Sequence, residues 1–321
     1  MDCSVCGLKE AIYSRPYSGE RFCGKCFSAA IEKQTRRTIS RYNMLERNDR
    51  IAVAVSGGKD SLSLLYILRE VEKEFPSAHL HAIAVDEGIA GYREEALSLA
   101  EENCKALGVP LTRVSFQELY GITLDEIARR IRGVDGELTP CSYCGVMRRR
   151  ALNEAARRVG ATKQATAHNL DDEVQTILLN IIHGGALRAF RVVPVMAPSH
   201  YKFIPRVKPF CETLECELAL YAYLREIRFQ TVRCPYASMA LRTEVRNFLN
   251  SLELRHPGSK YTIYRSIERL RSMLRTSVIA ELGECRECGE PTTGEVCEVC
   301  RMLERLRTPR EPISETSWVG G

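Results

Sequence analysis

Residues 50 to 183 alternate short, unbroken apolar runs with longer stretches in which apolar side chains return every three or four positions. Arg50-Ile51-Ala52-Val53-Ala54-Val55 is rich in branched residues and reads as a buried strand. After the Ser56-Gly57-Gly58 turn, Leu62, Leu64, Leu65, Leu68 and Val71 recur at helical spacing. The alternation then predicts a strand over 80–85, a helix over 92–107 closed by Gly108, and a strand over 111–116. A basic helix over 148–159 stopped at Gly160, a strand over 163–167 and a helix over 171–183 complete it; acids in the last helix's first turn suit the helix dipole. Strand–helix alternation at this pitch predicts an α/β fold with a doubly wound parallel sheet. No internal repeat is visible in this block.

Both ends depart from the pattern. Residues 1–30 have too few apolar side chains for a core of their own, but carry Cys3-x2-Cys6 and Cys23-x2-Cys26. Cys285-x2-Cys288 and Cys297-x2-Cys300 repeat the plan with a shorter spacer. Each set has the spacing of a four-cysteine zinc site, in which one Zn2+ replaces the missing core. The expected organisation is a zinc module over 1–30, a catalytic domain over 31–275, a second zinc module over 276–307 and a polar tail over 308–321.

The chain has 321 residues, 45% of them hydrophobic and 27% charged, which suits a globular protein. No apolar run reaches the roughly 18 residues of a membrane span, and the N-terminus lacks the basic and apolar regions of a signal peptide. A cytoplasmic protein with no membrane partner is expected, and its fourteen cysteines are expected to stay reduced. The net charge of +5 is modest. Local clusters (Arg36-Arg37, Arg148-Arg149-Arg150, Arg157-Arg158 and the run from Arg301 to Arg310) can neutralise nucleic-acid phosphates, although each also fits a solvated helix face.

Ser56-Gly57-Gly58-Lys59-Asp60-Ser61 lies where the first strand meets the first helix. In such sheets ligands bind at strand carboxyl ends, where a helix N-terminus offers free N–H groups to an anion. The glycines let backbone approach phosphates, Ser56, Lys59 and Ser61 add donors, and Asp60 with Mg2+ suits pyrophosphate. This is not a Walker A loop: Val53 and Asp60 stand where Gly and Ser/Thr are required. The hexapeptide after an apolar strand resembles the signature of the PP-loop ATP pyrophosphatases, which implies a Rossmann-like fold, ATP cleavage between the α and β phosphates, and an adenylated intermediate.

Cys141-Ser142-Tyr143-Cys144 is a fifth pair without a nearby mate. Two thiolates and one distant cysteine could hold a [4Fe-4S] cluster with one iron lacking a protein ligand. Cys234, Cys211 and Cys216 are candidates for the third.

The middle block as a whole resembles the TtcA/TtuA-type tRNA 2-thiolation enzymes, above all the archaeal and eukaryotic wobble-uridine thiolases. The matching stretches are Val85-Asp86-Glu87-Gly88-Ile89, Cys141-x-x-Cys144-Gly145-Val146 with Arg148-Arg149-Arg150, Ala167-His168-Asn169-Leu170-Asp171-Asp172 and Arg233-Cys234-Pro235-Tyr236-Ala237. The resemblance implies one [4Fe-4S] cluster on Cys141, Cys144 and Cys234, with Cys104 and Cys216 as core thiols and Cys211 of similar kind. It implies ATP bound by Ala54 to Ser61, Val85, Arg148 and Ala167, with Asp172 and Arg148 catalytic. The substrate implied is a tRNA uridine, at wobble position 34 ahead of position 54. The sulfur donor implied is a ubiquitin-like thiocarboxylate protein, with free sulfide as the other source, and family members commonly form homodimers. Two positions depart from the pattern: some relatives carry Lys at Arg148, and Ala167 stands where Gly often precedes the histidine. His168 reads as a hydrogen-bonded strand-end residue before a catalytic base. The rival readings are a PP-loop ligase without sulfur chemistry and a zinc-ribbon RNA-binding scaffold.

Overall fold

The computed structural model describes residues 1–131, 138–237, 241–273 and 282–307. The expected tail over 308–321 lies outside the described residues. The chain opens with a hairpin, β1 (Tyr13–Ser14) and β2 (Arg21–Phe22), and a long helix α1 (Gly24–Arg41). Then follow β3 (Arg50–Ala54), α2 (Lys59–Glu72), β4 (His79–Asp86), α3 (Arg93–Leu107), β5 (Leu111–Ser115), α4 (Phe116–Tyr120) and α5 (Leu124–Arg130). The second half holds α6 (Pro140–Arg158), β6 (Lys163–Ala165), α7 (Leu170–Ile182), α8 (Ala186–Ala189), β7 (Val195–Met196), β8 (Arg206–Val207), α9 (Glu215–Leu224), α10 (Leu241–Arg255) and α11 (Ser259–Met273). A second hairpin, β9 (Gly283–Glu284) and β10 (Pro291–Thr292), leads into α12 (Glu298–Arg307).

The central sheet runs in the order β5-β4-β3-β6-β8-β7, parallel except for β7. It is therefore the doubly wound sheet that the alternation predicts. The chain steps outward from β3 to β4 and β5, then crosses to β6 on the other side of β3. The strand order reverses between β3 and β6, the switch point where such sheets take their ligands, in the crevice above the strand carboxyl ends.

The two central strands are apolar on both faces because both are covered. Ile51 and Val53 of β3, with Leu80, Ala82 and Ala84 of β4, join one core; Ala52, Ile83 and Val85 join the other. The terminal modules use different cores. Phe22 and Phe27 belong to the first, Cys285, Val299 and Met302 to the second, so the two modules cover opposite sides of the sheet.

One helix begins earlier than its basic stretch suggests. Thr139 caps α6 by accepting from the Ser142 N–H at 3.3 Å, and Pro140 takes the first position, where its missing N–H costs nothing. Cys141 and Cys144 therefore sit in the opening turns of the helix that carries Arg148.

Candidate active site

The PP-loop spans the gap between β3 and α2. Gly57 has φ +83°, and a Cβ there would stand 2.2 Å from the Ala96 carbonyl oxygen of α3, so neither its conformation nor its space admits a side chain. Ser61 Oγ donates to Gly58 O at 2.9 Å and accepts from the Ser56 N–H at 3.0 Å, folding the loop onto the helix start. No side chain caps α2. Its first-turn N–H groups are thus left for an anion. Arg93 braces the loop from beneath, donating to Ser56 O at 2.9 Å and Val85 O at 2.5 Å. Val85, whose backbone is expected to contact ATP, thus has one lone pair of its carbonyl already engaged. Ala54 closes β3, Val55 extends the pairing through its N–H to Ile83 O at 2.9 Å, and Ala167 lies just past β6.

Lys59 bonds Asp60 at 3.1 Å and Glu215, at the start of α9, at 2.9 Å. Asp60 Oδ2 also accepts from Asn169 Nδ2 at 3.2 Å, whereas its Oδ1 is buried without a partner. Burial pushes the Asp60 carboxyl up to about 6 against the pull of Lys59, with Glu215 and Asp172 adding to the rise. A carboxylate with one orphaned oxygen beside a phosphate cradle fits a divalent cation such as Mg2+.

Three consecutive acids open α7, and each has its own task. Asp171 is buried against Lys260 and accepts from the Glu215 N–H at 2.8 Å; Glu173 holds Lys208 at 2.7 and 2.8 Å. Asp172 forms a capping box with Asn169, accepting its N–H at 3.2 Å while Asn169 Oδ1 accepts the Asp172 N–H at 3.0 Å. Burial raises the Asp172 carboxyl. His168 Nδ1 lies 2.9 Å from Thr166 Oγ1, and loss of solvent followed by the cations Lys208, Arg206, Arg242 and Arg149 drives it down to about 3. A histidine held neutral this firmly is a poor proton acceptor, consistent with its strand-end reading.

Across the crevice, Arg148 joins the thiols to the loop. Its Nε is 2.6 Å from Glu87 Oε1 and its Nη2 is 3.0 Å from Cys144 Sγ, while the other Glu87 oxygen lies 2.7 Å from Arg93 Nε. Cys234 comes from a distant segment fixed at two points. Upstream, the Gln230 N–H donates to Gly57 O at 2.9 Å. Downstream, the turn closed by Ala237 N–H to Cys234 O docks through Tyr236, whose hydroxyl donates to Asp125 at 2.6 Å and whose carbonyl lies 3.1 Å from Cys141 Sγ. Burial raises the Cys141 and Cys144 thiols, the latter to about 11, and Cys234 adds to both shifts.

The structure thus brings Cys234 within electrostatic reach of Cys141 and Cys144, and Asp172 within reach of Asp60. Cys211 is fully buried against Tyr264 and Cys104 is also buried, away from this group. Cys216, expected in the core, is instead exposed on α9. Five residues of the site were given no role by sequence reasoning: Glu87, Arg93, Asn169, Glu215 and Gln230. Asn169 alone left a signal, as a capping residue before an acid-rich helical turn.

Among the described residues, two sets of four thiols have all their sulfurs within 4.8 Å of one another: Cys3, Cys6, Cys23 and Cys26, and Cys285, Cys288, Cys297 and Cys300. That closeness suits four bonds to one tetrahedral ion. Backbone N–H groups, working against burial, bring Cys3 and Cys285 down to about 6, favouring the thiolates a metal needs. The central trio is not grouped so tightly. A cubane cluster presents its irons at separate corners, so ligands that converge without touching fit it better than a single ion.

A phosphate-binding loop at the switch point of a doubly wound sheet defines an α/β nucleotide-binding enzyme of the PP-loop type. The PP-loop domain family matches residues 29–134, and the N-terminal LIM domain of 2-thiouridine synthetase TtuA matches residues 2–28. Cytoplasmic tRNA 2-thiolation protein 1 of Bos taurus is 38% identical over 288 residues, covering 89% of this chain and 82% of the relative. Its counterpart in Oryza sativa subsp. japonica is 35% identical, covering 99% and 87%. The chain belongs to this tRNA 2-thiolation family. Among solved structures, the U34-tRNA thiolase NcsA from Methanococcus maripaludis, which contains a [4Fe-4S] cluster, superposes with TM-score 0.83 at 36% identity, covering 97% of this chain and 98% of that one. No helix among the described residues is long and apolar enough to cross a membrane.

Proposed function

We propose that the protein is a cytoplasmic, ATP-dependent tRNA uridine 2-sulfurtransferase acting on the wobble uridine. The observation that carries this reading is the Arg148 bridge: one guanidinium reaches both a thiol of the trio and the carboxylate paired with Arg93, which in turn braces the ATP loop. The two chemistries therefore share one crevice.

In the first step the uridine C2 oxygen attacks the α phosphorus of ATP, the bond to the β phosphate breaks, and pyrophosphate leaves. The N–H groups of Gly58 to Ser61 and the Lys59 ammonium bind the phosphates, and Arg148 neutralises charge on the α phosphate. A Mg2+ ion on Asp60 would neutralise the departing pyrophosphate. Asp172, whose raised carboxyl suits proton transfer, accepts the N3 proton as the C2 oxygen becomes a phosphate ester. In the second step sulfur bonds to C2 and AMP departs with the former carbonyl oxygen. Cys141, Cys144 and Cys234 would hold a [4Fe-4S] cluster, whose remaining iron supplies a Lewis acid for sulfur. Sulfide or a thiocarboxylate protein is the donor, and each terminal four-thiol set holds a structural Zn2+.

The test is anaerobic thiolation of tRNA with ATP and sulfide, read by nucleoside mass spectrometry with mapping of the modified position. Wild type forms 2-thiouridine at the wobble position and releases pyrophosphate; Cys234→Ala yields no thiolated nucleoside. Full thiolation by Cys234→Ala, or modification elsewhere in the tRNA, overturns the assignment.

A further inference from the structure

The face of α6 that carries Cys141, Cys144 and Arg148 is not its only polar face. Val146, Arg149, Arg150 and Asn153 recur at helical spacing on the adjoining flank and wall a cavity of about 510 Å3. The segment from β7 to β8 and the start of α12 complete it, so it lies in the seam between the sheet and the C-terminal module.

Its charges are not balanced. Arg206 has a buried Nε without a hydrogen-bond partner, and among the described residues its side chain reaches just the Met196 sulfur, from Nη2 at 3.6 Å. Arg149 makes no ion pair among the described residues. Burial lowers both guanidinium groups, and Arg149 lowers Arg206 further, as expected of neighbours lacking an anion between them. The carboxylates that line the cavity are committed elsewhere: Glu290 to Arg157 at 2.7 Å and Glu298 to Arg301 at 2.8 Å. Glu173, the acid that acts on Arg206, holds Lys208 twice. Arg149 is exposed at the cavity's rim and stands free for an anion, whereas the half-buried Arg206, with its orphaned Nε, is left undersatisfied until one arrives. The rest of the lining is largely apolar, with Met196, Phe203, Pro291 and Val299 offering a surface for a flat ring.

We propose that this cavity takes a nucleotide of the substrate RNA adjacent to the one being modified, its phosphate on Arg149 and Arg206 and its base against the apolar wall. The inference rests on the reading of the substrate as tRNA. A helix with its side chains is about 10–12 Å across, so the two faces of α6 are near enough to hold neighbouring nucleotides of one unstacked loop. Single-stranded RNA is recognised in this way, by base stacking and by arginine on phosphate.

The test measures binding of an anticodon stem-loop RNA across a salt series, using the full-length protein reconstituted anaerobically. Arg149→Gln and Arg206→Gln are each expected to weaken binding about tenfold and flatten the salt dependence by about one phosphate's worth, while an ATP analogue binds as in wild type. Ala197→Trp, in the exposed segment after β7, fills the cavity; it is expected to weaken RNA binding with the salt slope unchanged. Wild-type RNA affinity in all three variants overturns the proposal while leaving the sulfurtransferase reading intact. So does a defect confined to transfer from a protein thiocarboxylate, which would assign the cavity to the donor. A wild-type protein that neither binds nor thiolates tRNA overturns both.

Discussion

Asp60 has one oxygen shared by Lys59 and Asn169 and the other bare and buried. Its carboxyl sits near 6, above the ordinary range, so ionising it costs folded-state stability as pH rises from the usual carboxylate pKa through about 6. A bound cation reverses that preference. Mg2+-dependent binding of an ATP analogue is therefore expected to weaken as pH falls through about 6, and Asp60→Asn should flatten the profile; titration calorimetry between pH 5 and pH 8 (~3 units) reads both. Arg148 supports a second expectation. Lysine keeps the charge but not the planar fork, so Arg148→Lys should lower the rate of ATP-dependent pyrophosphate release about tenfold and Arg148→Ala about a hundredfold or more, measured under single turnover. At this scale the sequence was readable where a residue's type dictates its use, as with the loop glycines and the paired cysteines. Of three adjacent acids, Asp172 was singled out by resemblance, but the tasks of Asp171 and Glu173 were not readable: they point in different directions, and only the arrival of Lys260 and Lys208 from later elements engages them.

The loop lies against α3 at Gly57 with no room for a side chain. Gly57→Ala would need both a left-handed backbone and space already taken by the Ala96 carbonyl. Steric displacement of α3 should cost about 3 kcal/mol or more and abolish nucleotide binding, seen as a fall in Tm with no upward shift on adding ATP. Element types followed well from apolar spacing; a boundary did not. The basic stretch predicts a helix from 148, whereas α6 starts at Thr139-Pro140, a capping residue followed by the residue best suited to a first helical turn. That difference moves both cysteines from a connecting loop onto the helix that carries Arg148.

Seen whole, the molecule is one sheet with a four-thiol module on each side. The N-terminal module is fastened by Arg15, whose Nε lies 2.7 Å from Glu217, a fully buried carboxylate that also accepts from Tyr17 at 3.2 Å. Removing one partner of a buried pair typically costs about 3–5 kcal/mol, so Arg15→Ala should lower the urea midpoint markedly. Metal analysis should find two zinc ions per chain, falling to one in Cys3→Ser and in Cys285→Ser. Because the modules sit on different cores, their stability losses should add in the double variant. The ligand sets were legible from spacing, but their attachment to opposite sheet faces was not, since Glu217 is some two hundred residues from Arg15.

The grip of Arg148 on both Glu87 and Cys144 has one further consequence. The Arg148 Nε and Nη2 are engaged with the carboxylate and the sulfur, so a turn of the guanidinium plane toward a phosphate would slacken one hold or the other. On the proposed function, a nucleotide that drew this guanidinium away would be felt at the thiol end as the loss of a single donor, with no helix having to move.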